Sequence, residues 1–153
     1  MNTTLRAAML ACALASASLM GGLAAQAQVA ERVYEDGPVW RVNAVEVKPG
    51  MLRAYMADLN KGWRVSQENA KKRGDVISYK VLQADSPRDH EPNLFLMVEY
   101  KNMAVFDQSQ KEAETQTSAV FGSLEKAQEM AAAREAMRTQ RGSNLLRELK
   151  FAN

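Results

Sequence analysis

The segment at residues 76–100, VISYKVLQADSPRDHEPNLFLMVEY, sets the architecture of this chain. Residues 76–84 alternate apolar and polar side chains, as a half-buried strand does. Residues 85–93 are rich in Asp, Pro, Asn and charged side chains, a composition typical of a turn. Residues 94–100 are strongly apolar and of strand length. The segment therefore predicts a β-hairpin.

On the N-terminal side of this hairpin, residues 39–47 (VWRVNAVEV) have the composition of a strand, and Pro49-Gly50 ends it. Residues 51–73 then place apolar side chains three and four positions apart, which predicts an amphipathic helix that stops at Gly74. Gly62 lies inside this helix, where a glycine costs about 1 kcal/mol relative to alanine. We infer close packing at Gly62.

On the C-terminal side, residues 103–141 are prone to form helix, with one break expected between residues 109 and 122. The expected apolar stripe of this segment consists of Val120, Phe121, Leu124, Ala127, Met130 or Ala131, Arg134 and Met137. Gly142 ends the segment, and residues 143–151 alternate as a last strand would. The order is strand, helix, strand, strand, helix, strand. It predicts an α+β fold, a ferredoxin-like split βαββαβ with a four-stranded antiparallel sheet and the helices on one face.

With these elements placed, the chain resembles the dimeric α+β barrel superfamily, especially its secreted bacterial members. The resemblance is carried by residues 47–51 (VKPGM), the Tyr55, Leu59 and Trp63 stripe, residues 78–82 (SYKVL) and residues 97–104 (MVEYKNMA). It implies a ferredoxin-like domain that pairs into a homodimer. Relatives include cofactor-free monooxygenases, haem-handling proteins and dye-type peroxidases, so the resemblance informs on fold rather than activity.

The first 27 residues have the features of a secretory signal peptide. Arg6 precedes an uncharged run rich in Ala, Leu and Met, and Ala25-Gln26-Ala27 supplies the small residues that signal peptidase requires. We predict cleavage before Gln28, a flexible lead-in at residues 28–38, a domain at residues 39–153, and a periplasmic or secreted location. The alternative is an uncleaved membrane anchor, which the many Ala, Ser and Gly residues disfavour. After removal of the leader, no membrane association is expected.

Composition excludes several chemistries from the exported chain. Cys12 is the only cysteine and lies in the leader, too near Arg6 for a lipoprotein signal, so no disulfide, thiol nucleophile or lipid anchor is expected. Without Arg6 of the leader, the chain's 20 basic residues become 19 against 18 acidic ones, and this net charge of about +1 gives no reason to expect a nucleic-acid partner. The sequence has no phosphate-binding loop, catalytic triad or metal motif, so no metal and no cofactor are predicted. His90, the single histidine, is expected to be a solvated loop residue.

Aromatic side chains are the first candidates for a binding site. Trp40, Tyr55, Trp63, Tyr79 and Tyr100 could line a pocket between sheet and helices for a small apolar or aromatic ligand, although aromatics at such spacing also form ordinary core. Glu99 is expected to share a sheet face with Lys80 and Arg41. It could orient a polar substrate, or it could belong to an ion-pair network at a dimer interface.

The sheet face away from the helices is expected to be the dimer interface. On the expected alternation, Trp40 and Val42 face the helices and Val76 lies on the opposite face. The proposed interface residues are Val45, Leu82, Phe95, Met97 and Leu146. Soluble monomers rarely leave such an apolar surface in water, which indicates self-association.

Three functions remain open from the sequence. The first is an exported small-molecule-binding protein of the dimeric α+β barrel type. The second is a cofactor-free monooxygenase-like or isomerase-like enzyme that uses Tyr, Trp and Glu99. The third is a structural or stress-response module.

Overall fold

The computed structural model describes residues 31–85 and 87–152. The predicted signal peptide lies outside the described residues, so its cleavage stays a prediction. Within the described part of the chain, no helix is long and apolar enough to cross a membrane. The elements in chain order are β1 (Tyr34–Val47), α1 (Leu52–Lys61), α2 (Trp63–Arg73), β2 (Val76–Gln83), β3 (Leu94–Tyr100), a 3-10 turn (Met103–Phe106), α3 (Gln110–Phe121), α4 (Leu124–Glu135) and β4 (Arg138–Phe151).

The four strands form one antiparallel sheet in the order β2-β3-β1-β4. Each helical crossover skips one strand, since α1 and α2 connect β1 to β2 past β3, and α3 and α4 connect β3 to β4 past β1. This is the split βαββαβ arrangement, with the helices on one face of the sheet. The predicted ferredoxin-like α+β fold is confirmed.

The first predicted helix is divided at Gly62 into α1 and α2. A Cβ atom at Gly62 would lie 2.5 Å from Cε1 of Phe121, so only a glycine lets α3 approach this closely. The inference of close packing at Gly62 is confirmed. Gly74 ends α2 in the left-handed conformation, at φ 80°, which favours glycine.

The long C-terminal helical segment is also divided, into the 3-10 turn, α3 and α4. Ser109 begins α3 with a capping box, in which the Ser109 side chain accepts the Glu112 N–H and the Glu112 carboxylate accepts the Ser109 N–H. The break predicted between residues 109 and 122 is found at Gly122, between α3 and α4.

The strands β1 and β4 are longer than predicted. β1 begins at Tyr34, inside the expected flexible lead-in, and β4 begins at Arg138, where helix was expected. β1 and β4 pair from Val47 with Arg138 to Tyr34 with Phe151. The ladder of backbone hydrogen bonds therefore extends both strands beyond what local composition indicates.

The core lies between the helices and one face of the sheet. The buried apolar side chains are Val39, Val45, Val47, Tyr55, Leu59, Ala70, Val76, Leu94, Leu96 and Val98. No helix of residues 31–85 and 87–152 packs on the opposite sheet face, called here the open face. Its apolar side chains are Trp40, Val42, Leu82, Phe95, Met97 and Leu146.

The predicted face assignments of four residues are wrong. Val45 is fully buried, with Leu94 and Tyr55 in the same core cluster, so it does not lie on the open face; Val76 is likewise buried beneath the helices. Trp40 and Val42 pair with Glu99 and Met97, which places both on the open face instead of under the helices. The physical reason is the register between β1 and β3, in which Val45 pairs with the buried Leu94.

Candidate functional site

A cavity of about 340 Å³ lies between the helices and the sheet. We call it the helix–sheet cavity. One part of its wall is apolar or aromatic and consists of Tyr55, Leu59, Trp63 and Leu96; the other part is polar and consists of Asn43, Arg134, Arg138 and Gln140. Three strands, β1, β3 and β4, and three helices, α1, α2 and α4, supply the residues of this wall. The cavity is therefore built on rigid elements, as a binding site requires.

Two arginines from successive elements meet at the cavity. Arg134 lies at the end of α4, and Arg138 is the first residue of β4. Their side chains are only 17% and 16% exposed. Charged side chains are seldom buried to this extent without a partner for each donor.

Arg134 is held in place by Asp58 of α1. The Nε atom of Arg134 donates to Oδ2 of Asp58, whose side chain is 16% exposed. The Nη2 atom of Arg134 is buried and has no hydrogen-bond partner among the described residues. The ion pair fixes the guanidinium group while one of its donors stays free.

Arg138 is held by two neighbours on its own chain segment. Its Nη2 atom lies 3.2 Å from Oε1 of Glu135, and its Nη1 atom donates to Oε1 of Gln140. Its Nε atom is buried and has no partner within the described residues. An unsatisfied buried donor costs about 1–3 kcal/mol, and more when it is charged. Both nitrogens have almost no solvent-accessible surface, so they face protein atoms and not the open space of the cavity.

Tyr55 contributes a phenol to the same cavity. The residue is 1% exposed, and the Arg138 guanidinium lies over its ring with Cζ 5.9 Å from the ring centroid. Burial raises the pKa of Tyr55, while the charges of Arg138 and Arg134 lower it in part. The phenol is protonated at neutral pH and is available as a hydrogen-bond donor.

A larger cleft, of about 520 Å³, lies between α2 and α3. Its cationic residues, Lys72 and Arg73, are exposed to solvent. Arg73 is already bonded to Asp75 and to Gln116. The cationic side chains of this cleft are therefore exposed, whereas Arg134 and Arg138 of the helix–sheet cavity are largely buried.

The predicted aromatic pocket is present in part. Tyr55 and Trp63 line the helix–sheet cavity. Tyr79 packs edge-on against Trp63, with the ring centroids 5.4 Å apart, and its hydroxyl donates to Glu68. Tyr79 therefore supports the cavity wall from outside. Tyr100 lies on the same sheet face but contacts Phe106, with 4.8 Å between ring centroids, and does not line the cavity.

Trp40 and Glu99 belong to the open face and cannot share a pocket with Tyr55. The indole Nε1 of Trp40 donates to Glu148 over 3.1 Å, and Nζ of Lys80 lies 4.9 Å from the Trp40 ring centroid. Glu99 accepts a hydrogen bond from the hydroxyl of Ser78.

The prediction that Arg41 lies on the same sheet face as Glu99 and Lys80 is wrong. Arg41 pairs with the buried Val98 and therefore faces the helices, where it lies over the rings of Phe106 and Tyr100. Glu99 and Lys80 do share the open face.

Four polar residues of the cavity were missed by the sequence interpretation, namely Asn43, Arg134, Arg138 and Gln140. One signal could have found Arg134. It occupies a position in the apolar stripe predicted for the last helical segment, where a charged residue is out of place unless it serves a buried site. Arg138 and Gln140 carried no such signal because residues 138–141 were assigned to helix.

The remaining interface candidates, Leu82, Phe95, Met97 and Leu146, do lie on the open face. Leu82 is 46% exposed and Leu146 is 51% exposed, while Phe95 and Met97 are half-buried. His90 lies in the exposed β2–β3 loop, and its minor role stays a prediction.

Comparisons with known proteins add similarity of fold only. No protein-family model matches the chain, and no curated protein is significantly similar to it. Among solved structures, a protein from Shewanella oneidensis is similar at 18% identity and a TM-score of 0.47, over 76% of this chain and 98% of that one. A dimeric ferredoxin-like protein from an uncultured marine organism has 8% identity and a TM-score of 0.47, over 78% and 91%.

A third similar structure is a dimeric protein of unknown function and ferredoxin-like fold from Bacteroides fragilis. It has 9% identity and a TM-score of 0.40, over 77% of this chain and 99% of its own length. The fold of the present chain follows from its own strand order. Fold and cavity together define a ferredoxin-like α+β protein with an arginine-lined cavity beneath its helices.

Proposed function

We propose that this chain is an exported, homodimeric protein that binds a small, partly apolar organic molecule in the helix–sheet cavity. The observation that carries the proposal is a cavity between helices and sheet whose apolar wall faces a polar wall that includes Arg134 and Arg138. Ligand sites commonly combine an apolar lining with a few convergent polar groups.

The size of the cavity supports binding of a small molecule. Its volume of about 340 Å³ lies at the lower end of the range of about 300–1,000 Å³ that is common for ligand pockets. Trp63, Leu59 and Leu96 offer apolar surface to a ligand, and Asn43 and Gln140 offer further polar contacts. A ligand that accepts hydrogen bonds at one end and is apolar at the other would satisfy both walls.

Self-association is proposed from the open face. Trp40, Val42, Phe95 and Met97 lie on neighbouring strands, and no helix of the described part of the chain covers them. As a monomer, a domain of two layers would leave this apolar face exposed to water. A second copy would bury the face symmetrically. The cavity lies on the other side of the sheet, so the ligand site and the dimer contact do not compete.

Export is proposed from the sequence of the leader alone. Arg6, the uncharged run and Ala25-Gln26-Ala27 together support cleavage before Gln28. Intact-mass measurement of the exported protein tests this, since the proposal requires a chain that begins at Gln28 and carries no lipid. A mass that includes Cys12 and an added lipid would contradict it.

The binding proposal is tested with a cavity-filling variant. Asn43→Phe places a large ring in the cavity, whereas Gln128→Phe places the same ring at an exposed position of α4 that belongs neither to the cavity wall nor to the open face. A set of small organic fragments is screened against the parent and both variants by ligand-observed NMR.

We expect fragments that bind the parent and the Gln128→Phe control and fail to bind Asn43→Phe. The proposal is wrong if no fragment binds the parent, or if Asn43→Phe binds the same fragments as the parent. Circular dichroism of both variants ensures that the comparison is made between folded proteins.

A further inference from the structure

We propose that the outer edge of β4 is a second self-association surface, at which residues 146–152 of two copies pair as antiparallel strands centred on Leu149. This contact joins two four-stranded sheets edge to edge into one continuous sheet. It goes beyond the proposed function, because it uses neither the helix–sheet cavity nor the open-face contact. It follows from the direction of the backbone groups of β4 and from the order of the charges along it.

β4 is an edge strand. It stands last in the sheet order β2-β3-β1-β4, and among the residues that the structure describes only β1 pairs with it. The N–H of Ala152 donates to the carbonyl of Val33, so the backbone groups of Ala152 point towards the β1 side. Because the two directions alternate along an antiparallel strand, the N–H and C=O groups of Phe151, Leu149 and Arg147 point away from β1. Such a row of outward-facing backbone groups is a template for a further strand.

The end of β4 also exposes large apolar side chains. Phe151 is 85% exposed and Leu149 is 55% exposed. Both lie on the same face of β4 as Arg147, since side chains two positions apart in a strand point the same way. Arg147 pairs with the buried Val39, so this is the face that the helices share. Large apolar side chains that remain exposed on an edge strand are typical of a contact surface.

The charges at the end of β4 are self-complementary. Residues 147–151 (RELKF) place one acidic and one basic side chain symmetrically about Leu149. When two copies pair antiparallel about Leu149, Glu148 of each copy lies opposite Lys150 of the other. Glu148 is on the open-face side of the strand, where it accepts a hydrogen bond from Trp40. Opposite charges at facing positions of antiparallel strands stabilise the pairing, and this register forms two such pairs.

The neighbouring registers are disfavoured. A centre at Arg147, Glu148 or Lys150 would bring two like charges directly opposite each other, which is destabilising. A centre at Leu149 instead opposes the two leucines and sets each Arg147 against the exposed ring of Phe151, which suits a cation–π contact. β2, the other edge strand, has one basic side chain and no acidic one in its sequence VISYKVLQ. Self-complementary charges are therefore a property of the β4 edge.

The edge contact is small. It involves only residues 146–152 of each copy, so it buries less than the roughly 1,200 Å² at which stable interfaces begin. We expect a Kd on the order of 100 µM to 1 mM. At the low micromolar concentrations used for light scattering the β4 edges are therefore separate, and the oligomeric state reports on the open face alone.

The experiment introduces one cysteine at the centre of the contact. Leu149→Cys is combined with Cys12→Ser, so that the chain has no other cysteine. In the proposed register the two Cα atoms at position 149 lie about 5.5 Å apart, within the range of about 4.4–6.8 Å that a disulfide bridges. The protein is oxidised with diamide at a concentration near the expected Kd, and cross-linked dimer is measured on non-reducing gels.

Leu145→Cys, made in the same way, is the matched control. Leu145 is also an exposed leucine on this face of β4. In the proposed register its two copies are about eight residues apart along the strands, or about 27 Å, which no disulfide spans. Leu149→Cys should cross-link at least about tenfold faster, because its thiols meet within the complex whereas those of the control meet only by collision. Equal rates, or a faster reaction of Leu145→Cys, would overturn the proposed pairing.

The charge pairs are tested in the Leu149→Cys protein. Lys150→Glu sets Glu148 of each copy against a second acidic side chain, and the cross-linking rate should fall to that of the Leu145→Cys control. Adding Glu148→Lys exchanges the two charges and restores opposite pairs, so the rate should recover. A rate that Lys150→Glu leaves unchanged would overturn the register centred on Leu149.

A second measurement uses the unaltered protein, so the inference does not depend on how the variants fold. Amide hydrogen exchange is followed by NMR as the protein concentration rises from the micromolar to the millimolar range. The outward N–H groups of Leu149 and Phe151 should become protected, whereas the N–H of Lys150, which points towards β1, is protected throughout. Unchanged exchange at Leu149 and Phe151 would overturn the edge contact and leave the ligand and open-face proposals standing.

Discussion

The side-chain amide of Asn93 is hydrogen-bonded to both backbone polar groups of Val47. Its Oδ1 atom accepts the Val47 N–H over 2.8 Å, and its Nδ2 atom donates to the Val47 carbonyl over 2.8 Å. Asn93 lies just before β3, and its own backbone N–H donates to Val45. One side chain thereby extends the β1–β3 pairing to the end of β1, beside the loop that leads into α1.

Asn93→Asp is expected to destabilise the protein by about 1–3 kcal/mol. The carboxylate keeps the acceptor for the Val47 N–H but loses the donor, and it faces the Val47 carbonyl oxygen instead. Chemical denaturation measures the free energy of unfolding. Asn102→Asp is the matched control, because Asn102 only accepts a hydrogen bond from Ala104 N–H and an aspartate can do the same. Equal stabilities of the two variants would contradict the role assigned to Asn93.

Gly62→Ala is expected to lower the free energy of unfolding by about 1–3 kcal/mol, the usual cost of overpacking. The added methyl group would lie 2.5 Å from Phe121 Cε1 and 3.0 Å from Phe121 Cζ, so α3 or the ring must move. The double variant Gly62→Ala, Phe121→Leu should recover part of the loss relative to Phe121→Leu alone. Additive effects in this double-mutant cycle would show that the two positions do not meet.

Met97→Lys is expected to convert dimers into monomers or aggregates. Met97 lies on the open face opposite Val42, near the centre of the proposed contact, where two lysines would meet across a two-fold axis. Multi-angle light scattering gives the oligomeric state. Met103→Lys, the same substitution at an exposed position in the 3-10 turn, should leave the dimer intact. A monomeric parent protein, or a dimeric Met97→Lys variant, would show that the open face is not the interface.

Stability is expected to fall at alkaline pH because of two buried phenols. Burial raises the pKa of Tyr55 and of Tyr100 above the ordinary value of about 10. The folded state then holds each phenol proton more tightly than the unfolded state does. The contribution to stability is complete below about pH 10 and is lost as the pH rises through the folded-state pKa.

The measurement is the free energy of unfolding between about pH 8 and pH 11. The decrease above pH 10 should be smaller in Tyr55→Phe than in the parent, since phenylalanine has no proton to lose. If the free energy of unfolding depends on pH in the same way in Tyr55→Phe and in the parent, Tyr55 has the same pKa in the folded and the unfolded state.

The order of elements and both faces of β3 could be predicted from the sequence. Leu96 and Val98 are buried, while Phe95 and Met97 lie on the open face, as alternation requires. The alternation of β1 was assigned to the wrong faces because polar Arg41 and Asn43 point towards the helices. A prediction from apolar and polar alternation assigns polar residues to the solvent-exposed face. Such a prediction is wrong where polar residues line a site in the interior.

The start of β4 could not be predicted locally. Arg138 and Gln140 suit a helix by composition, but pairing with β1 draws them into the sheet, and tertiary contacts override local propensity. That change brings Arg138 to the helix–sheet cavity beside Arg134. The polar wall of the cavity could therefore not be predicted from the sequence. Its aromatic residues, Tyr55 and Trp63, could be predicted because they recur at helical spacing.

The two tryptophans allow a direct test of where small molecules bind. Trp63 lines the helix–sheet cavity, and Trp40 lies on the open face on the other side of the sheet. Their indole N–H resonances are recorded by NMR while binding fragments are added, with Trp40→Phe used for assignment. Fragments that bind should shift the Trp63 resonance and leave that of Trp40 in place. Fragments that shift Trp40 alone, with Trp63 unmoved, would place the binding site on the open face and contradict binding in the helix–sheet cavity.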